Sequence, residues 1–191
     1  MSVRLLALIP VAVAINLALS AAVDAVGLPL FLDTTGTILA TALAGPVVGI
    51  ATGALTSAVN SLRNPTFWPF VVVQVLVALY AWIAARGGWF RSLRTAVPAG
   101  LLLGVLAALT STPISYLIFR CATTGGIALT TKLGQLLGLS DLGACFFGSF
   151  LSDFADKAVT FALVTTVLHA LPRRTAARFP LALRAIARTA A

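Results

Sequence analysis

"FLSDFADKAVTFALVTTVLHALP", residues 150–172, is apolar over most of its length yet carries Asp153, Asp156 and Lys157 in its first turns. A segment of this composition suits a membrane-spanning helix. Ionisable groups in such a helix cost roughly 2.5–3.5 kcal/mol each on insertion, so they usually face a protein interior or a wet cavity. Where these three side chains point decides how the rest of the chain arranges itself around them.

The remainder of the sequence is equally apolar. Of 191 residues, 60% are hydrophobic and 9% charged, with a mean hydropathy of +1.05. These values describe an all-α integral membrane protein, too short to carry a soluble catalytic domain beside a helical bundle. Apolar runs, read against the ~20 residues needed to cross ~30 Å of hydrocarbon, predict six spans at about 5–23, 30–44, 46–61, 66–86, 96–119 and 148–171. The second and third are short and meet at Ala44-Gly45-Pro46, where Gly45 ends one helix and Pro46 starts the next. They predict a tight helical hairpin. The expected organisation is a compact six-helix membrane domain over 1–172 and a basic tail over 173–191.

The net charge of +8 does not require nucleic acid, because the basic residues are distributed by side. Arg4, Arg86, Arg91, Arg94, Arg173, Arg174, Arg178, Arg184 and Arg188 fall on the side of the two termini, whereas Arg63, Arg120 and Lys132 fall on the other. That bias predicts cytoplasmic termini. The spacing in "RFPLALRAIAR" admits a short amphipathic helix on anionic lipid, or a solvated tail that only sets topology. The N-terminus has the outline of a signal peptide, but Ala14, Ala18 and Ala22 line one helix face with small side chains. Such a face lets a second backbone approach closely, from another subunit or from a helix of the same chain. A second small-residue face, Gly45, Gly49, Gly53 and Ser57, suits packing inside the chain.

On this topology all five carboxylates fall in the outer half. Asp33, Thr34 and Thr37 come level with Asn60, Arg63 and Asn64, because the hairpin turn lies on the cytoplasmic side, and Asp153, Asp156 and Lys157 lie at the same depth. A polar cluster on three helices predicts a binding pocket, with Trp68 placed to stack on a flat ligand or to sit in the aromatic belt. The plainer reading is a helix N-terminus that favours carboxylates, with Asp153 and Lys157 satisfying each other as an i,i+4 pair and Asp156 left over.

The outer loop "RCATTGGIALTTKLGQLLGLSDLGAC" reads as a lid, in which "LTTKLGQLLGL" forms a short interfacial or re-entrant helix. Cys121 and Cys145 stand at its two ends, either joined by a disulfide or acting as apolar fillers. His169 is far from the carboxylates by topology. The sequence holds no metal-ligand spacing, nucleotide-binding loop, nucleophile elbow or dinucleotide fingerprint, so no enzyme is expected.

"LPLFLDTTGTILATALAGPVVGIATGALTSAVN" and the later "FLSDFADKAVTFALV" resemble the second, third and last helices of the substrate-binding S components of energy-coupling factor (ECF) vitamin transporters. The resemblance spans most of the chain. It implies a protein of the bacterial cytoplasmic membrane that captures a small water-soluble vitamin or related nutrient at the outer side. It implies docking through Ala14, Ala18 and Ala22 on a transmembrane scaffold subunit driven by two ATPase subunits, so that ATP is handled by partners and this chain binds no cofactor. The outer loop departs from the family in lacking an acidic residue after its Gly-rich turn, and no ligand identity carries over. The rival readings are a partner-independent proton-coupled permease and a membrane sensor or assembly protein.

Overall fold

The helix that carries Asp153, Asp156 and Lys157 runs from Asp141 to Ala170, 30 residues, and so begins well before the expected residue 148. Ser140 caps it, its hydroxyl accepting from the Gly143 amide at 3.3 Å, and Asp141 lies in the first turn where the helix dipole favours a carboxylate. Asp153 therefore lies about 18 Å along the helix, at 1.5 Å per residue. The three charges belong to the middle of the helix and not to its first turns.

The computed structural model describes residues 3–121, 126–179 and 181–186. Arg188 and residues 122–125 of the outer loop lie outside them, as do the side chains of Arg4 and Arg173. The described elements are helices: α1 (Val3–Ala25), α2 (Thr35–Ala44), α3 (Pro46–Arg63), α4 (Val71–Arg86), α5 (Leu93–Phe119), α6 (Gly126–Leu136), α7 (Asp141–Ala170), and the short α8 (Arg173–Ala176) and α9 (Ala182–Ile186), with 3-10 turns at Pro65–Phe70 and Trp89–Arg91.

Among the described residues, three segments are long and apolar enough to cross a membrane: Leu5–Ala25, Pro65–Arg86 and Leu93–Phe119. At ten residues, α2 reaches only about 15 Å. Helix α3 is diluted by Thr52, Thr56, Ser57 and Asn60, all buried, and α7 by its three central charges.

The α2–α3 hairpin turns where expected. Gly45 adopts φ 99°, a conformation that a Cβ would strain, its amide closes on the Thr41 carbonyl at 2.8 Å, and Pro46 opens α3. Gly45, Gly49, Gly53 and Ser57 are all buried, and Gly49 and Gly53 face Thr41, Ala78 and Gln74. This face packs within the chain.

Ala14, Ala18 and Ala22 are exposed instead, while Ala12, Asn16, Ser20 and Val23 turn the other side of α1 into the bundle. No helix of the chain covers the alanine face among the described residues.

The fourth apolar run starts as a 3-10 turn because Pro65 and Pro69 withhold amide donors, and α4 proper begins at Val71. Helices α5 and α7 lie so close that a side chain at Gly104 would overlap the backbone at Asp153 and Phe154. Phe90 and Phe161 stack at 5.0 Å in the apolar core, and the Tyr80 hydroxyl donates to the Ala99 carbonyl at 2.8 Å.

The outer loop folds back as α6 along the start of α7. The Thr130 hydroxyl donates to the Gly148 carbonyl at 3.2 Å, and Gly134 meets Ala144. A disulfide joins Cys121 to Cys145 with their Cα atoms 5.7 Å apart. At the other end, Ala176, Ala182 and Ala185 are buried in the same core as α2, α4, α5 and α7, and the Leu181 amide reaches the Leu43 carbonyl at 3.3 Å. The described residues after 172 thus close that end of the bundle.

Candidate functional site

The segment Leu28–Thr34 enters α2 through Leu32, which holds φ 48°, a left-handed conformation uncommon for leucine. Asp156 explains how it is held. One oxygen, Oδ1, accepts both the Phe31 amide at 3.0 Å and the Leu32 amide at 2.7 Å, while Oδ2 bonds Lys157 Nζ. Asp156 is 0% and Lys157 2% exposed. A buried ion pair gains little over apolar packing unless further hydrogen bonds support it, and here two backbone amides support the Asp156 carboxylate.

Lys157 therefore pairs with its neighbour Asp156 and not, as the i,i+4 spacing suggests, with Asp153. Asp153 instead accepts from the Ser111 hydroxyl of α5 at 3.0 Å.

A second network reaches the same place from α1. Asn16, fully buried, donates from Nδ2 to Thr37 Oγ1 at 3.0 Å and Thr56 Oγ1 at 2.9 Å, and accepts the Gly36 amide at 2.6 Å. Thr37 donates to Gln74 Oε1 at 2.9 Å, and Gln74 Nε2 turns to the Asp33 carbonyl at 3.2 Å. Four elements are tied by this chain of bonds, and each amide group is satisfied at both ends.

Between the two networks lies a cavity of about 70 Å³, room for several water-sized molecules. Asp33 and Thr34 line it from the segment before α2, Ser111 from α5, Asp153 and Lys157 from α7, Ser57 from α3 and Gln74 from α4. Phe31, Phe67 and Phe70 supply its apolar wall. A larger depression of about 400 Å³ adjoins it, lined by Asp24, Asn60, Arg63 and Asn64 and sharing Phe31 and Phe67.

The residues singled out from sequence are thus divided. Asp33, Thr34, Asp153 and Lys157 meet in the inner cavity. Asn60, Arg63 and Asn64 line the outer depression, Asn64 also capping the 3-10 turn through the Thr66 amide at 3.1 Å. Thr37 and Asp156 stand behind the inner wall as supports, and Trp68, 55% exposed, borders neither cavity. No described residue of α6 lines the inner cavity; its cover is the Phe31 segment and the Thr66–Phe70 turn. Sequence reasoning passed over Asn16 and Gln74. A lone amide inside an apolar run, as in "VVVQVLV" and "AINLA", is the signal that identifies them, since such a group must find a partner in the bundle.

Among the described residues no three His, Cys, Asp or Glu side chains are arranged to hold a metal ion. Comparison with protein-family models, curated proteins and solved structures finds no match to this chain.

Proposed function

We propose that this chain is the substrate-capturing S component of an ECF-type importer. The observation that carries this reading is the inner cavity, a charged and hydroxyl-lined space set among helices whose outer faces are apolar. Such a space suits one small water-soluble molecule held out of lipid.

In this reading α1, α2 with its entering segment, α3, α4, α5 and α7 make six spans in the bacterial cytoplasmic membrane. Both termini are cytoplasmic, and the Phe31 segment with the Thr66–Phe70 turn faces outward. The exposed Ala14, Ala18 and Ala22 face of α1 supports docking on a transmembrane scaffold, because small side chains permit close helix contact. The chain catalyses nothing itself and binds no cofactor, and two partner ATPase subunits supply the energy. The nutrient is a vitamin or a related small molecule.

The test is affinity purification of the tagged chain from its own membranes, followed by identification of co-purified subunits and of released small molecules. A scaffold with ATPases and one bound nutrient is the expected result. Ligand-free protein without partners would overturn the reading.

One observation favours a second reading. Asp33 and Asp153 line the cavity without a basic side chain in ion-pair contact among the described residues, and carboxylates so placed serve as proton sites in permeases. Uptake driven by a pH gradient into vesicles holding this chain alone would establish a partner-independent permease instead.

A further inference from the structure

The geometry points to a small organic cation with a flat apolar ring as the ligand of the inner cavity, an inference that rests on the cavity being a nutrient-binding site. The charge balance is the first ground. Three carboxylates, Asp33, Asp153 and Asp156, surround one ammonium, Lys157, and that ammonium is already bonded to Asp156. Asp156 in turn spends its other oxygen on two backbone amides. The pair is neutral as a unit, so the net formal charge left around the cavity is that of Asp33 and Asp153.

Their remaining partners are neutral. Asp153 receives a hydroxyl, from Ser111 at 3.0 Å, and Asp33 receives the Gln74 amide at 3.4 Å. A protonated nitrogen held by both carboxylates would make two charge-assisted contacts. An anion would face both carboxylates. Beyond Lys157, the nearby cation Arg63 lines the outer depression and not this cavity.

The Thr34 hydroxyl is the second, independent ground. It lines the cavity, is 2% exposed, and has no hydrogen-bond partner. A buried hydroxyl without a partner costs free energy that a ligand N–H would recover. The third is the wall of Phe31, Phe67 and Phe70, whose ring faces attract both cations and flat apolar groups. A bare metal ion would leave that wall unused, and the described residues hold no metal-ligating group of three.

The test uses the full chain in detergent and three probes of one ring and different charge: benzylamine, benzyl alcohol and benzoate, compared at neutral pH by calorimetric titration and thermal shift. Benzylamine is expected to bind about tenfold or more tighter than benzyl alcohol, with benzoate weakest. Asp33→Asn and Asp153→Asn should each bring the amine-to-alcohol ratio towards one, whereas Asp141→Asn, which removes the same charge from an exposed position, should leave it unchanged. Should either cavity variant fail to fold, the wild-type ranking of the three probes still decides. Equal or tighter binding of benzoate or benzyl alcohol, or no binding of benzylamine at millimolar concentration, would overturn the inference. Benzylamine binding by a chain that co-purifies with no scaffold would keep the cation site and defeat the importer reading; a scaffold complex that prefers benzoate would do the reverse.

Discussion

Asp156 Oδ1 accepts the Leu32 amide at 2.7 Å, across 124 positions of sequence. A single carboxylate in the middle of α7 thereby holds a left-handed residue at the mouth of α2, and its second oxygen holds Lys157. The same side chain thus braces the wall of the cavity and neutralises the ammonium that lines it.

Asp156→Ala should accordingly be among the most damaging substitutions in the chain, costing about 3–5 kcal/mol because it strands a buried ammonium and two amides. Asp156→Ala with Lys157→Met should cost less than the sum of the single changes, since the stranded charge is gone. Unfolding in mixed detergent micelles, measured on the four proteins of that cycle, checks both statements; additive losses would mean that the ion pair contributes nothing.

Asn16 makes the corresponding contacts for α1. Asn16→Ala leaves the Gly36 amide and two threonine hydroxyls to find new partners in a buried site, and the expected loss is about 1–3 kcal/mol. Asn16→Asp keeps the acceptor for Gly36 but replaces the donor to Thr37 and Thr56, and is also expected to be destabilised. The same unfolding measurement reads both variants, and wild-type stability in Asn16→Ala would show that α1 is held by packing alone.

The exposed alanine face gives a different outcome. Ala14→Trp and Ala18→Trp add bulk where no helix of the chain lies within the described residues, so folding and ligand binding in detergent should persist. If the chain docks on a scaffold as proposed, uptake in cells carrying such partner subunits should be lost, because the added ring blocks close helix approach. Loss of binding together with uptake would place the effect inside the chain.

Cys121 and Cys145 close a loop across 24 positions, and a bond of that span is worth about 3 kcal/mol in the chain-entropy picture. Protein taken from intact cells and denatured without reductant should show no free thiol, and both thiols after reduction. Replacing both by serine should lower stability while leaving the inner cavity able to bind, since α6 lines none of it among the described residues.

Much of this arrangement is legible in the sequence because lipid punishes polar groups. The apolar runs, the turn at Gly45-Pro46 and the presence of Asp33, Asp153 and Lys157 at one site follow from where charges and breakers fall in an apolar chain. The outward alanine face and the inward glycine face, by contrast, are the same pattern on paper. Only the neighbours of α1 and α3 separate them. Helix α7 starts earlier than the expected residue 148 because Asp141 and Gly143 read as loop residues in an otherwise apolar stretch, whereas the Ser140 cap and the disulfide at Cys145 hold that stretch in the helix.

Partner choice among the charges is where sequence ends. Spacing of i,i+4 on a helix pairs Asp153 with Lys157, yet the short α5–α7 distance at Gly104 and the Ser111 hydroxyl take Asp153, and the Phe31–Leu32 amides draw Asp156 to the side where Lys157 can reach it. What the sequence by itself determined is that this chain is helical, apolar and obliged to shelter a few charged groups, because the cost of leaving them in hydrocarbon depends on residue type alone. Which groups line a cavity and which support it was decided by the tertiary structure, because hydrogen bonds across more than a hundred positions depend on which backbones come within reach.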